Sequence, residues 1–155
     1  MSGILGLTTD RTMTQQYKDL LLRDLSARLP YGVRVTTNNN SVKLGIVTGI
    51  SNIGKVIIDT KYADIVFGSN EIKPYLRPMS SMTDEERLDM TKEIKGLKIQ
   101  YFASSPWEWS VCGLVTHNTL IQVVDWLNAH HFDYRGLIEK GLAIAITPEN
   151  NPYNV

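Results

Sequence analysis

Between residues 33 and 76 the sequence consists of short runs rich in Val, Ile, Thr and Tyr, separated by turn residues. Such runs are typical of short β-strands joined by tight connections. We expect five strands, at 33–37, 42–50, 55–59, 64–67 and 71–76. The connections at 38–41 and 51–54 contain Asn and Gly, which tolerate the positive φ of hairpin turns. This pattern predicts a small SH3-like barrel or a twisted antiparallel meander.

The residues before this section have helical periodicity. Apolar side chains recur at helical spacing at Tyr17, Leu21, Leu25 and Leu29. Thr12 or Thr14 can cap the helix, and Pro30 ends it, because the residue before a proline is driven out of the α region. The chain therefore begins its folded part with a helix, and residues 1–11 are expected to form a flexible arm.

Further helices are expected after the strands, at 83–95, 119–131 and 134–140. Thr83 and Glu86 have the spacing of a capping box, and Gly96 is placed to end the first of these helices. Asn118 or Thr119 can cap the second helix, which has one apolar stripe formed by Leu120, Val124, Leu127 and His131. The resulting fold class is α+β, with C-terminal helices.

The segment after the second of these helices has its own capping signals. Asp133 can cap the helix at 134–140, and Gly141 can end it so that Leu142 packs back on Leu137, as in a Schellman turn. We also expect a strand at 98–102, a loop at 104–106 and an edge strand at 142–146. No composition break argues for a second domain, so residues 1–155 are interpreted as one domain.

The charge and the cysteine content narrow the function classes. Sixteen basic residues balance sixteen acidic ones, so no net field attracts nucleic acid or an anionic membrane. The chain shows neither a basic leader nor an apolar run long enough to span a bilayer, and Cys112 is the only cysteine. We therefore expect a protein of the cytoplasm that does not bind a membrane.

Three motifs suggest chemistry, and each has a simpler interpretation. Residues 49–55 match the start of a phosphate-binding P-loop, but Val56 replaces the magnesium-binding hydroxyl and the pattern continues as a strand. His117, His130 and His131 could serve a metal-dependent enzyme, yet adjacent histidines point about 100° apart on a helix. Cys112 with His117 could form a nucleophilic pair, but its apolar surroundings favour a buried, inert thiol. We expect no cofactor and no metal.

Two sets of residues are candidates for binding. Trp107 and Trp109 could stack on bases or contact a partner, although their alternate spacing favours aromatic side chains that cover the core. Lys73, Tyr75 and Arg77 could share a face of the sheet with Arg34 and Lys43 and bind RNA or another anion. Such charges are more often the solvated face of a half-buried sheet.

Three blocks of the sequence carry a resemblance: YKDLLLRDLSARLPYGV at 17–33, IKPYLRPMSSMTDEER at 72–87 and DWLNAHHFDYRGLIEKGLA at 125–143. Together they cover about a third of the chain, and they resemble a group of small uncharacterised proteins of gut Bacteroides phages and prophages. The resemblance implies a setting, a bacterial host cell that carries phage genes. It implies no activity and no catalytic residues.

The sequence therefore favours a phage or prophage accessory protein that binds a macromolecule, most simply another protein, without catalysis. The alternatives are a nucleic-acid-binding module, a structural component of the virion, and a metal-dependent enzyme. Oligomeric state stays open. The candidate binding residues are Trp107, Trp109, His130, His131, Asp133, Tyr134, Arg135, Lys73, Tyr75 and Arg77.

Overall fold

The computed structural model describes residues 13–39, 41–94, 97–102, 105–112 and 116–154, and in 98–102 and 105–112 it describes the backbone alone. The α-helices of these residues are α1 (Gln15–Arg28), α2 (Asp84–Glu93) and α3 (His117–Ala129). The strands are β1 (Arg34–Thr37), β2 (Gly45–Ile50), β3 (Lys55–Asp59), β4 (Asp64–Gly68), β5 (Ile72–Leu76), β6 (Lys98–Phe102), β7 (Ser105–Cys112) and β8 (Ile144–Ala145). The predicted α+β class is confirmed.

Six of these strands form one sheet in the order β4-β3-β2-β1-β5-β8. The first four strands are an antiparallel meander, β5 returns to pair with β1, and β8 adds parallel to β5. The outer strands β4 and β8 do not pair with each other, so the sheet is open and mixed. Of the two predicted forms, the antiparallel meander describes the first four strands, and a closed SH3-like barrel is not confirmed. A separate hairpin is formed by β6 and β7.

Buried apolar side chains form two clusters. In the first, α1 packs on one face of the sheet through Leu21 and Leu25, which are fully buried together with Val35 and Ile58. In the second, α2 and α3 pack through Met90, Val123, Trp126 and Leu127 around the buried Phe132. The sheet and the C-terminal helix thus contribute to different parts of the core.

The helix caps follow the prediction at two of three places. Thr14 caps α1, and Thr83 with Glu86 forms the predicted capping box of α2. The cap of α3 is Thr116, earlier than either predicted residue, because its hydroxyl accepts the N–H of Thr119. The predicted stripe of α3 is also wrong in part, since Leu120 is 50% exposed and Val124 is 37% exposed, whereas Val123 and Trp126 face the core.

Residues 134–140 form turns rather than the predicted helix. Gly136 takes φ +74°, a left-handed conformation that interrupts helical geometry. One hydrogen-bonded turn follows, and Gly141 and Leu142 donate their N–H groups to Ile138 and Leu137, which is the bonding pattern of a Schellman turn.

Two further expectations differ from the structure or lie outside it. The predicted loop at 104–106 is strand from Ser105 onward. Gly96 and the arm at 1–11 lie outside the described residues.

Candidate binding surface

The P-loop-like string at 49–55 is a hairpin connection. It begins in β2 and ends in β3, and Gly54 takes φ +76° in the turn between them. The N–H of Gly54 donates to the carbonyl of Ser51, and the N–H of Ser51 donates to the carbonyl of Lys55. Because no helix follows Lys55, the string has no helix N-terminus to receive a phosphate.

Arg77, one of the predicted binding residues, is used inside the fold. Its guanidinium donates two hydrogen bonds to the Glu86 carboxylate, at 2.6 and 2.8 Å, and lies 4.1 Å from the ring centroid of Phe132. These hydrogen bonds hold the pKa of Glu86 below its ordinary value. The backbone of Arg77 also bonds with His131 and Asp133, so this residue ties β5 to the segment after α3.

A buried ion pair joins α1 to the same C-terminal segment. Arg28 donates to both oxygens of Asp24, at 2.7 and 3.1 Å, and to the carbonyl of Phe132 at 2.6 Å. Both side chains of this pair are fully buried, and Arg135 approaches the same carboxylate at 3.4 Å. Asp24 thus supplies the negative charge that compensates the buried guanidinium of Arg28.

The adjacent histidines serve packing. His130 stacks on Trp126 with 3.9 Å between ring centroids, and its Nδ1 lies 2.8 Å from the carbonyl oxygen of Trp126. His131 takes φ +63° and stacks on Tyr153 at 3.7 Å. Burial, with Arg28 as the next cause, lowers the pKa of His131 to about 4, so this ring is neutral at pH 7.

Tyr153 completes the pairing of β1 and β5. Its hydroxyl accepts the N–H of Arg34 at 2.9 Å and donates to the carbonyl of Tyr75 at 3.0 Å. Burial raises the pKa of this hydroxyl to about 12. The two strands separate at this point, and the hydroxyl satisfies backbone groups that would otherwise lack partners.

Asp133 and Tyr134 also have internal partners. The buried carboxylate of Asp133 accepts the N–H groups of Leu137 and Ile138, at 2.8 and 2.9 Å, and the hydroxyl of Tyr134 donates to Asn128. The segment that looked richest in chemistry in the sequence is therefore largely occupied in holding the fold together.

The remaining predicted residues fall into two groups. Trp107 and Trp109 lie on β7, where the structure describes the backbone alone, and the same holds for Cys112. Lys73 and Tyr75 lie two residues apart and therefore on the same face of β5. Lys73 pairs with Thr36, and Arg34 lies two residues before Thr36, so Arg34 is on that face too. Lys43 is exposed in the connection before β2. Within the described residues, no three His, Cys, Asp or Glu side chains could hold a metal ion.

An exposed apolar surface at one edge of the sheet was not predicted. It lies at the outer strand β4 and the turn before it, where Tyr62 is 89% exposed, Val66 58% and Ile65 38%. We call Tyr62, Asp64, Ile65 and Val66 the open edge. The run Asp-Ile-Val-Phe-Gly contains none of the lysines or prolines that commonly protect an outer strand, but this alone does not distinguish an outer strand from a buried one.

The register of β4 shows which of its backbone groups point outward. Thr60 donates its N–H to the carbonyl of Ala63, and successive pairs of an antiparallel ladder alternate between bonded and non-bonded. Ile65 and Phe67 therefore bond to β3, whereas Asp64, Val66 and Gly68 direct their backbone groups away from it. The N–H of Gly68 confirms this alternation, because it donates to the carboxylate of Glu71 at 2.6 Å. Glu71 covers one end of the strand, and no other group within the described ranges bonds to the outward backbone of Asp64 or Val66.

Comparisons with protein-family models, with curated proteins and with solved structures found no match to this chain. Among the helices of the described ranges, none has the length and apolar composition needed to cross a membrane.

Proposed function

We propose that this chain is a non-catalytic accessory protein of a phage or prophage that binds another protein through the open edge. The setting rests on the resemblance of its sequence blocks to proteins of gut Bacteroides phages and prophages. A bacterial host cytoplasm is the corresponding location. The mode of action rests on the surface itself.

The observation that carries the proposal is the exposure of Ile65 and Val66 on the outer strand β4, with Tyr62 exposed in the turn before it. Outer strands with exposed apolar side chains and unpaired backbone groups are templates for contact with another chain. By contrast, Asp133 and Tyr134 of the 130–135 segment form hydrogen bonds within the molecule. The open edge thus combines exposed apolar side chains with outward backbone groups that no described residue covers.

The strand order of the sheet supports a more specific assignment of the fold. A meander of four strands, a short 3₁₀ turn at Ser69–Glu71 and a fifth strand that returns to β1 follow the strand order of small SH3-like barrels. We propose that the sheet belongs to this architecture and that β8 extends it. The order of the strands supports this, while the barrel is open between its outer strands.

The experiment is the isolation and mapping of a partner. The purified chain is incubated with lysate of phage-carrying Bacteroides, a bound protein is identified and purified, and the complex is studied by hydrogen–deuterium exchange. We expect slower exchange in the peptides that contain 62–66. A partner that protects only other surfaces of the chain, or catalytic turnover by the chain alone, would contradict the proposal.

A second candidate function has one observation in its favour. Arg34, Lys73 and Tyr75 share the outer face of β1 and β5, which is an arrangement suited to a phosphate backbone and a stacked base. If this face binds RNA or DNA, retention must weaken steeply as salt rises, because counterions are released on binding. Gel shift with a single-stranded oligonucleotide at several salt concentrations tests this function, with Lys73→Glu as the variant.

A further inference from the structure

We propose that the open edge binds its partner by strand addition, and that the partner segment is an extended strand with an apolar residue followed two positions later by Lys or Arg. This inference deepens the proposed function and rests on it. It specifies both the backbone contact and the side chains that the partner must bring. The partner is thus recognised by an alternating apolar and basic pattern rather than by a folded surface.

The backbone of β4 is suited to strand addition. The N–H and C=O groups of Asp64 and Val66 point away from β3. The ladder that pairs Lys55–Asp59 with Asp64–Gly68 contains no bulge. An incoming strand can therefore pair with β4 as β4 pairs with β3. Because backbone bonding is independent of side-chain type, it supplies affinity and leaves specificity to the side chains.

The side chains of the outer face define that specificity. Val66 lies opposite Ile57, and both are apolar, so an incoming residue opposite Val66 is favoured when it is apolar. Asp64 lies opposite Asp59, and like charges that face each other across a ladder destabilise it. A Lys or Arg opposite Asp64 relieves this repulsion by placing a positive charge beside both carboxylates.

The direction of the incoming strand follows from the same register. In an antiparallel arrangement, the residue opposite Val66 comes two positions before the residue opposite Asp64. The apolar residue therefore precedes the basic one in the partner sequence. Antiparallel pairing is also slightly more stable per residue than parallel pairing.

A second copy of the chain fits this edge poorly. When two β4 strands pair about Val66, Asp64 of each copy lies opposite Gly68 of the other. The N–H of Gly68 is already bonded to the Glu71 carboxylate, so Asp64 would meet another negative charge there. Charge thus favours a basic partner segment over self-association.

The test uses a fluorescein-labelled peptide, Thr-Thr-Val-Thr-Lys-Thr, and a matched peptide with Glu in place of Lys, titrated by fluorescence polarisation with the purified chain. We expect the Lys peptide to bind at least about tenfold more tightly than the Glu peptide. Asp64→Lys should reverse this preference. Reversal depends on the charge at one position and would not follow from a general loss of fold.

A proline separates strand addition from simple side-chain contact. Val66→Pro removes an N–H that points outward and leaves the hydrogen bonds between β3 and β4 intact, so the variant should fold. Its affinity for the peptide should fall at least about tenfold. Val66→Thr, which keeps the N–H, is the matched control and should retain binding within about threefold.

Several outcomes overturn the inference. They are no binding of the Lys peptide at about 1 mM, equal binding of both peptides, or unchanged binding by the Val66→Pro and Asp64→Lys variants. Formation of a dimer that Val66→Pro abolishes, with no peptide bound, would assign the edge to self-association instead. If a protein partner still protects 62–66 but is indifferent to both variants, the proposed function stands and strand addition fails. If the peptide binds as expected and no partner protects this edge, the proposed function fails.

Discussion

The two edges of the sheet differ in how the rest of the chain covers them. At one edge, which we call the sealed edge, β8 pairs with β5, Tyr153 bridges β1 and β5, and Arg77 bonds to the segment after α3. At the open edge, Glu71 is the one described residue whose side chain bonds to the outward backbone of β4. Covering an edge stabilises a fold and removes a template for association, whereas leaving it open keeps that template available.

The largest effect is expected at the ion pair beneath the sealed edge. Asp24→Ala leaves Arg28 buried without its carboxylate and should lower the unfolding free energy by about 3–5 kcal/mol. Asp19→Ala is a matched control on α1, because Asp19 is exposed and bonds only with Gln15 among the described residues. Urea denaturation compares the two, and equal losses would show that the buried pair has no special role.

A pair of prolines compares the two edges directly. Asn38 and Glu71 form a bonded pair, and bonded pairs of an antiparallel ladder recur at every second residue. Thr36 and Lys73 lie two residues along and are therefore also a bonded pair, so Lys73→Pro removes a hydrogen bond between β1 and β5. We expect a loss of about 2–3 kcal/mol for Lys73→Pro and below about 1 kcal/mol for Val66→Pro. Thermal and urea unfolding measure both. A larger loss of unfolding free energy for Val66→Pro than for Lys73→Pro would contradict the assignment of outward backbone groups on β4.

Features set by neighbouring residues could be predicted from the sequence, and those set by distant pairing could not. Local signals were sufficient for the Thr83 capping box and the turn at Gly54, because neighbouring residues determine them. The outer position of β4 was not predictable from its own sequence. Strand order depends on pairing between distant segments, and the run Asp-Ile-Val-Phe-Gly resembles a buried strand as much as an outer one.

The errors in the C-terminal part have similar physical causes. Apolar residues occur almost all round α3, so periodicity could not decide between Val124 and Val123 for the buried face. The sequence predicts Asn118 or Thr119 as the cap of this helix, whereas the structure uses Thr116. At Asp133, the carboxylate holds a non-helical turn, and the sequence signal for a helix cap was the same.

Removing the bridge at the sealed edge should have an intermediate effect. Tyr153→Phe leaves the N–H of Arg34 and the carbonyl of Tyr75 without the hydroxyl between them, at a cost of about 1–2 kcal/mol. Tyr62→Phe removes a hydroxyl from a residue that is 89% exposed and should leave stability unchanged. Differential scanning calorimetry of both variants tests this, and equal melting temperatures would argue against the bridge.

The smallest effect is a pH dependence at the same edge. The pKa of His131 is about 4 in the folded chain and 6.5 ordinarily, so the unfolded state takes up this proton first as the pH falls. The contribution of neutral His131 to the unfolding free energy is therefore fully present above pH 6.5 and is lost between pH 6.5 and 4. We expect this loss to be about 1 kcal/mol, because the ring is partly solvated. His131→Asn tolerates the positive φ and cannot titrate, so its stability should decline less over this range. An identical pH slope in both proteins would exclude His131 as the cause.

The central claim is that the backbone of β4 is open at alternate residues and accepts a partner strand. Amide hydrogen exchange followed by NMR tests it residue by residue. In the free protein the amides of Asp64 and Val66 should exchange rapidly, while those of Ile65 and Phe67 exchange slowly, and addition of the Lys peptide should slow Asp64 and Val66. Slow exchange at Asp64 and Val66 in the free protein, or no change on adding the peptide, would contradict the account.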